Sequence, residues 1–150
     1  MNNEMDNIHC ICEALFELKS LQDFLTNNST KYFGNLLAKL VGTDTIPFLL
    51  LTKNGRFSHT NIEMNDEART EECFETSYFR IESIDKERCS AILSLLRPLN
   101  IVSEDTSKPG EVVKLVKTAI FIEVNLACIY AIQPLEAELL KRQIIIEPKW

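Results

Sequence analysis

Residues 121–133, FIEVNLACIYAIQ, decide the fold of this 150-residue chain. The stretch contains no Gly or Pro, and Pro134 follows it directly. Glu123 and Asn125 fall on one parity, and the other parity carries Ile120, Ile122, Val124, Leu126, Cys128, Tyr130 and Ile132. Alternation with a period of two is typical of a strand with one buried face. Because its second half is apolar on both faces, we predict a single strand that enters the middle of a sheet, with Cys128 pointing inward.

Other short apolar segments supply partner strands. The pattern predicts them at residues 45–52, 57–62, 73–84, 89–96, 99–102 and 112–118. Asn54 and Gly55 between apolar runs are a strong hairpin signal, and residues 85–88 form a charged turn between two strands. Since short turns rather than helices join these segments, we predict a mainly β fold, an antiparallel β-sandwich.

Helices are predicted at both ends of this β body, which spans residues 45–133. Apolar residues recur at threes and fours through residues 7–25, which predicts a long N-terminal helix after a disordered lead at residues 1–6. Pro134 followed by good helix formers predicts a short C-terminal helix, and a short apolar tail, QIIIEPKW, completes residues 134–150. The length fits a single domain at residues 7–150.

Composition excludes several classes of function. The net charge is −6 and the pI is about 5.0, which argues against a nucleic-acid partner or an anionic membrane surface. The longest apolar stretches have the length of strands, so we predict no transmembrane helix. The polar and acidic start, MNNEMDNIH, excludes a secretory signal peptide, so we expect synthesis in a cytosol without export by the usual route.

No catalytic motif is present, and we predict neither a catalytic residue nor a cofactor. His9 and His59 have no partner at the spacing of a metalloprotease or a catalytic triad. A zinc site at His9, Cys10 and Cys12, completed by Cys73, Cys89 or His59, is an alternative, but Cys-x-Cys is not the usual spacing. We therefore predict no metal.

The chain has five cysteines, an odd number, so at least one cannot pair within the monomer. Cys10 and Cys12, the first pair, have two interpretations. Cys12 packs under the helix while Cys10 is a free thiol near its frayed start, or Cys10 and Cys12 cross-link to a neighbouring subunit. We expect Cys73, Cys89 and Cys128 to be small buried hydrophobes, with a further disulfide as the alternative. Cys73 and Cys89 begin opposite arms of a hairpin, so a bond between those two is not expected.

Five blocks of the sequence, in order, resemble one known family. They are HCICEALFELKSLQDFL at 9–25, DTIPFLLLTKNG at 44–55, CFETSYFRIE at 73–82, CSAILSLLRPLNI at 89–101 and IEVNLACIYAIQ at 122–133. The chain is identified from them as similar to the Bacillus spore-coat and exosporium proteins CotY and CotZ, with their relative ExsY. The resemblance implies a non-enzymatic structural protein that is made in the mother cell and assembles around the forespore. There it joins an insoluble, disulfide-linked shell or two-dimensional lattice.

One departure from the family bears on the role. The relatives are richer in cysteine, and the resemblance places Asn28, Tyr32, Phe121, Tyr130 and Pro134 where they tend to carry it. Because fewer cysteines allow fewer disulfide links, this departure favours an alternative role. The protein would then be an adaptor or anchor that tethers a surface filament or another protein to the coat or exosporium. Its docking strand would be the tail, through Ile144, Ile145, Ile146 and Trp150, unless the tail folds back on its own domain.

Three readings therefore remain open, in order of preference. The first is a structural protein that forms homo-oligomers by apolar burial and is then locked by disulfides. The second is the adaptor. The third is a metal-binding or thiol-reactive domain.

Overall fold

The computed structural model describes residues 3–26, 44–65, 70–135 and 145–147. The order of elements within these ranges is one α-helix followed by nine strands. They are α1 (Asn3–Thr26), β1 (Phe48–Thr52), β2 (Gly55–Arg56), β3 (His59–Asn65), β4 (Thr70–Thr76), β5 (Phe79–Asp85), β6 (Ser90–Leu99), β7 (Lys114–Asn125), β8 (Ile129–Pro134) and β9 (Ile145–Glu147). Short 3-10 turns occupy Pro109–Glu111 and Leu126–Cys128. The described chain is thus mainly β, as predicted.

The N-terminal helix is confirmed, and it begins at Asn3, inside the segment predicted as a disordered lead. Its buried side chains recur every three or four residues along one face, at Ile11, Leu15, Leu18 and Gln22. This face packs against β5, β8 and the 3-10 turn between β7 and β8. Buried Gln22 fixes the contact, because its Nε2 donates to the carbonyl of Ile81 at 2.9 Å and its Oε1 accepts from the backbone N–H of Ile46 at 3.2 Å.

The predicted two-sheet sandwich is not what the described strands form. They make one curled seven-stranded sheet and a separate two-stranded ribbon of β3 and β4. β1 pairs with β5, β5 with β6 and β6 with β7, all antiparallel, and β8 pairs antiparallel with β1. Since β8 continues β7 after a short turn, these pairings close into a ring. Curling lets one sheet enclose a core that a sandwich would need two sheets to bury.

The stretch predicted as one strand, residues 121–133, is broken by the 3-10 turn Leu126–Cys128. The side chain of Asn125 accepts a hydrogen bond from the backbone N–H of Ala127 at 3.0 Å and so begins the turn. Before the turn the even-numbered residues face inward, as Val124 does, and after it Ile129 is buried and Tyr130 is exposed. The turn therefore reverses the parity of the strand, and it bends the chain from β6 towards β1.

Two further strand predictions are corrected in the same way. The predicted strand at 73–84 is divided between β4 and β5, and the predicted return strand at 57–62 contacts β1 through its first residue, Phe57, whose backbone N–H donates to the carbonyl of Leu50 at 2.8 Å. The strand that returns along β1 is the short β2, where Gly55 has a φ of 108° that favours glycine. β3 instead pairs with β4, from His59 opposite Thr76 to Asn65 opposite Thr70.

The core lies between α1 and the inner face of the curled sheet. Its ring contacts join Phe79 to Phe48 and to Phe57, at 6.4 Å and 5.5 Å between centroids. The side chains that are fully buried here include Leu15, Phe48, Leu50, Phe79, Leu93, Leu95 and Leu126. A smaller cluster on the other face contains Leu49, Tyr78, Leu96, Val112 and Leu115. Because β1 and β6 are covered on both faces, adjacent residues of one strand are both buried.

The C-terminal region differs from its prediction where the structure describes it. Pro134 ends β8 instead of starting a helix, and the remainder of the predicted C-terminal helix lies outside the described residues. β9 pairs in parallel with β7, with Ile145 opposite Lys114 and Glu147 opposite Val116. Within the described ranges, no helix has both the length and the hydrophobicity that a bilayer span requires.

Candidate functional site

The five cysteines are the residues for which the sequence predicts a function, and all five lie within the described chain as free thiols. Cys10 is exposed on α1, and Cys12, two residues later, is buried with 4% of its surface accessible. Cys73 is exposed on β4 and Cys128 is exposed in the 3-10 turn. Cys89 is half-buried at the end of the turn between β5 and β6. Exposed thiols thus project from three separate elements.

The expectation that Cys73 and Cys128 are buried hydrophobes is wrong. Cys128 was assigned to the inward parity of a continuous strand, and the turn that reverses parity places it at the surface. Cys73 lies on the β3–β4 ribbon opposite Ile62, which is itself exposed, whereas the next residue, Phe74, points into the core. Both thiols are therefore available to other molecules.

Folding brings Cys12 and Cys89 together, a contact that the sequence did not predict. The pKa of the Cys12 thiol is raised to about 12, first by burial and then by the side-chain hydrogen bond and the charge of Cys89. Both residues belong to the core that α1 forms with the sheet. The helical periodicity placed Cys12 on the buried face, but no local signal showed that the turn between β5 and β6 reaches that face.

The predicted zinc alternative at His9, Cys10 and Cys12 gains no support from the described side chains. Among them, no three His, Cys, Asp or Glu residues lie close enough together to hold a metal ion. The side chain of His9 lies outside the described set. Cys10 and Cys12 point in different directions from α1, because residues two apart on a helix do not share a face.

A cluster of charged residues forms a second candidate, on the opposite side of the sheet from α1. Asp44 accepts from Lys117 Nζ at 2.8 Å and from Thr45 Oγ1 at 2.9 Å. Arg80 donates to Thr45 through Nε at 3.0 Å and to Glu82 through Nη1 at 2.6 Å, and Glu82 also accepts from Ser94 at 2.8 Å. This network joins the segment before β1 to β5, β6 and β7.

The electrostatics of this cluster indicate a structural role. Burial by itself would raise the pKa of Asp44, but hydrogen bonds from Lys117 and Thr45, with the charges of Lys117 and Arg80, outweigh burial and lower it. Asp44 is therefore held as a carboxylate, as is usual for an acid paired with cations. Each carboxylate of the cluster faces a cation, so neither is poised as a general base at neutral pH.

The described side chains also form an open cleft beside the turn that carries Cys89. It is lined by Arg88, Ser90, Glu123 and Asn125 and has a volume of about 340 Å³. Its side chains carry opposite charges and it is open to solvent, whereas small-molecule sites are mostly enclosed and apolar. The cleft gives no support to an enzymatic reading.

Apolar side chains are exposed on the outer face of β6 and β7. Ile92 is 41% exposed and Phe121 is 57% exposed. Ile92 lies opposite Glu123 in the register, so Phe121 is its diagonal neighbour on the same face. Tyr130 on β8 is also exposed. Phe121 and Tyr130 are thus both at the surface.

Part of the predicted docking tail pairs with the chain's own sheet. Ile145 and Ile146 belong to β9 and lie opposite Lys114 and Leu115 of β7. This is the arrangement in which the tail folds back on its own domain. Ile144 and Trp150, the other predicted docking residues, lie outside the described residues.

Comparison with known proteins finds a matching family. The model of the family described as Spore coat protein Z matches residues 1–137, which is most of the chain. No curated protein and no solved structure matches this sequence.

Proposed function

The chain belongs to the spore coat protein Z family, and from this membership we propose that it builds the outer layers of the bacterial spore by self-association and disulfide cross-linking. Family membership supports a structural role in the spore coat and a position at the spore surface. It also supports a non-enzymatic role, in keeping with the paired carboxylates and the open cleft described above. Self-association and cross-linking are the parts that this proposal adds.

The observation that carries cross-linking is the placement of three exposed thiols. Cys10, Cys73 and Cys128 lie on α1, on the β3–β4 ribbon and in the turn between β7 and β8. A subunit with two links can form only chains or rings, whereas a subunit with three or more can form a continuous layer. All three thiols are free and exposed, so a thiol of a neighbouring subunit can reach each of them.

Association by apolar burial would come before the covalent step. The outer face of β6 and β7, with Ile92 and Phe121, supplies surface that a second copy can cover. Contact of this kind holds two subunits in one geometry while their thiols oxidise. In a reducing cytosol the thiols stay reduced, so subunits assemble before they are locked together.

The experiment that tests this proposal is electrophoresis of the purified full-length protein after oxidation, with and without reductant. We expect a ladder of covalent oligomers that collapses to monomer when the disulfides are reduced. The variants Cys10→Ala, Cys73→Ala and Cys128→Ala should each remove part of the ladder, and the triple variant should remove nearly all of it. Cross-linking was also predicted for Cys12, so Cys12→Ala is the matched comparison with Cys10→Ala, two residues away on the same helix.

Two results would contradict this assignment. A ladder of undiminished length in the triple variant would show that exposed thiols do not carry the links. Equal losses in Cys10→Ala and Cys12→Ala would show that burial does not protect Cys12. Electron microscopy of the oxidised wild type should show extended sheets, and discrete closed particles would argue against a lattice.

The second candidate is an adaptor that attaches a surface appendage or another coat protein to the shell. β9 ends the order of the described sheet, so its outer edge is one to which a partner strand can add. The loss of cysteines relative to the family also favours fewer links. This role predicts small closed oligomers in electron micrographs and a coat partner whose binding is lost when Ile145 and Ile146 are changed to Lys.

A further inference from the structure

Two thiols meet inside the molecule, between α1 and the turn that joins β5 to β6. Cys12 is on the buried face of the helix, and Cys89 is the last residue of the turn. Cys12 belongs to the core cluster against which Cys89 packs, and the two thiols interact electrostatically. The Cys89 thiol also donates to the carbonyl of Lys86 within its own turn, at 3.8 Å. This pair is distinct from the three exposed thiols, since Cys12 cannot reach another subunit from its buried position.

We propose that Cys12 and Cys89 form a disulfide within the chain, which fastens α1 to the curled sheet. The bond would be a modification of the folded subunit and not a link between subunits. It goes beyond the proposed function, and either can hold without the other.

The surroundings hold both cysteines in place. The carbonyl of Cys89 accepts from the backbone N–H of Leu126 at 2.8 Å, which ties the turn to the 3-10 segment that also packs on α1. One helical turn beyond Cys12, the ring of Phe16 lies 3.7 Å from Lys86 Nζ, at the start of the same turn. Helix and turn are thus joined by a second contact beside the thiols, which keeps the two cysteines next to each other.

The backbone conformation of Cys89 also suggests that its thiol has a function. Its φ is 50°, in the left-handed region that glycine adopts without cost and other residues adopt with strain. Glycine would suit this backbone position better than cysteine, but it would not provide a thiol. Asp85 Oδ1 stabilises the turn by accepting from the backbone N–H groups of Glu87 and Arg88.

The oxidation needs an electron acceptor, and a small-molecule disulfide supplies one. The half-buried Cys89 loses its proton to solvent, and its thiolate attacks one sulfur of the reagent, releasing one small thiolate and leaving a mixed disulfide. Cys12 then loses its proton, and its thiolate attacks Cys89 Sγ and releases the second small thiolate. Two protein thiols are oxidised to one cystine by two electrons, and one reagent disulfide is reduced to two thiols.

The burial of Cys12 sets the rate of this reaction. Burial, the largest cause of the raised pKa of Cys12, persists after Cys89 has reacted, so little of Cys12 is thiolate at neutral pH and the second step is slow and accelerates as the pH rises. The same burial shields the finished bond from reductants. The disulfide would therefore form slowly and persist once formed.

The test uses the full-length Cys10→Ala, Cys73→Ala, Cys128→Ala variant, in which only Cys12 and Cys89 remain. Incubation of the native protein with oxidised glutathione should yield a monomer lighter by two hydrogens. Peptide mapping should recover a linked pair that contains Cys12 and Cys89. A bond that closes a loop of roughly 80 residues should raise Tm by about 10 °C over the reduced form.

The matched control adds Cys89→Gly to this background, a change that suits the positive φ and removes the thiol. Its mass and its Tm should be unaffected by glutathione. Two outcomes would overturn the proposal: both thiols still free after prolonged oxidation at pH 8, or glutathione that stays attached to Cys89 without displacement by Cys12. Neither outcome would alter the ladder of the wild type, which depends on the exposed thiols.

Discussion

At Asp44, burial and ion pairing act in opposite directions on a single carboxyl group. Its hydrogen bonds from Lys117 and Thr45 overcome burial and lower its pKa. Because the folded-state pKa lies below that of the unfolded chain, the folded state gains stability once the carboxyl ionises. This contribution is complete above the ordinary pKa of 3.8 and is lost as the pH falls through the lower folded-state value.

The change Asp44→Asn tests this argument. We expect it to lower the free energy of unfolding by about 2 kcal/mol at pH 7, because a charge-assisted hydrogen bond to Lys117 is lost. The difference from wild type should begin to shrink as the pH falls below about 4, where this carboxyl is protonated in the unfolded chain, and should disappear below the lower folded-state pKa. Urea denaturation of the variant and of wild type at pH 7 and at pH 3 measures this difference in the free energy of unfolding at each pH.

The matched control for that measurement is Asp23→Asn, at the partly exposed ion pair with Lys19, four residues earlier on α1. A pair of this kind contributes at most about 0.5 kcal/mol, so its removal should change little at either pH. A loss in Asp44→Asn that is the same at both pH values would mean that ionisation of Asp44 does not stabilise the fold.

Among the elements, β7 and β8 show how far the sequence pattern predicts the structure. The alternation predicted that Val124 is buried and that Glu123 and Asn125 are exposed, and all three positions are confirmed. The pattern did not predict the 3-10 turn, because Leu126, Ala127 and Cys128 are as apolar as the strand around them. The only local signal was Asn125, a residue whose side chain often caps a turn.

Loss of that cap should weaken the sheet on both sides of the turn. Asn125→Ala removes the acceptor for the Ala127 N–H and should cost about 1 kcal/mol in the free energy of unfolding. Asn125→Asp keeps an oxygen in the same place and should cost much less. Chemical denaturation of the two variants gives the comparison, and equal stability of Asn125→Ala and wild type would show that the cap does not maintain the bend.

Long-range contacts are the part of the site that the sequence could not predict. Periodicity assigned Cys12 to a buried helix face, and turn residues located Cys89 at a hairpin end, each from local information. Their meeting depends on how α1 lies across the curled sheet, which side chains such as Gln22 determine through contacts far along the chain. The family resemblance supplied the structural role, but it did not distinguish buried from exposed thiols.

For the whole molecule, net charge and surface apolarity oppose each other in assembly. A net charge of −6 makes the subunits repel, so association must draw on apolar faces such as that of Ile92 and Phe121. Salt screens the repulsion and leaves apolar burial largely intact. The balance between the two decides whether subunits meet before their thiols react.

Phe121→Ser should shift this balance towards the monomer. In reducing buffer, where no covalent link forms, we expect at least a tenfold weaker self-association than in wild type, since burial of an aromatic side chain contributes about 1.5–3 kcal/mol. Sedimentation velocity over a range of concentrations measures it. The control is Glu123→Ser, at an exposed position on the same strand, which should not weaken association. If the wild-type protein stays monomeric in reducing buffer at high salt, apolar assembly through this face is excluded.

The ring of strands also determines the order in which the strands of a nascent chain can pair. β1 leaves the ribosome early, but β8, its partner along its whole length, follows about 80 residues later. Until β8 arrives, the Phe48–Thr52 backbone has an open edge that can capture another chain. Synthesis at high local density therefore carries a risk of strand exchange between neighbouring chains.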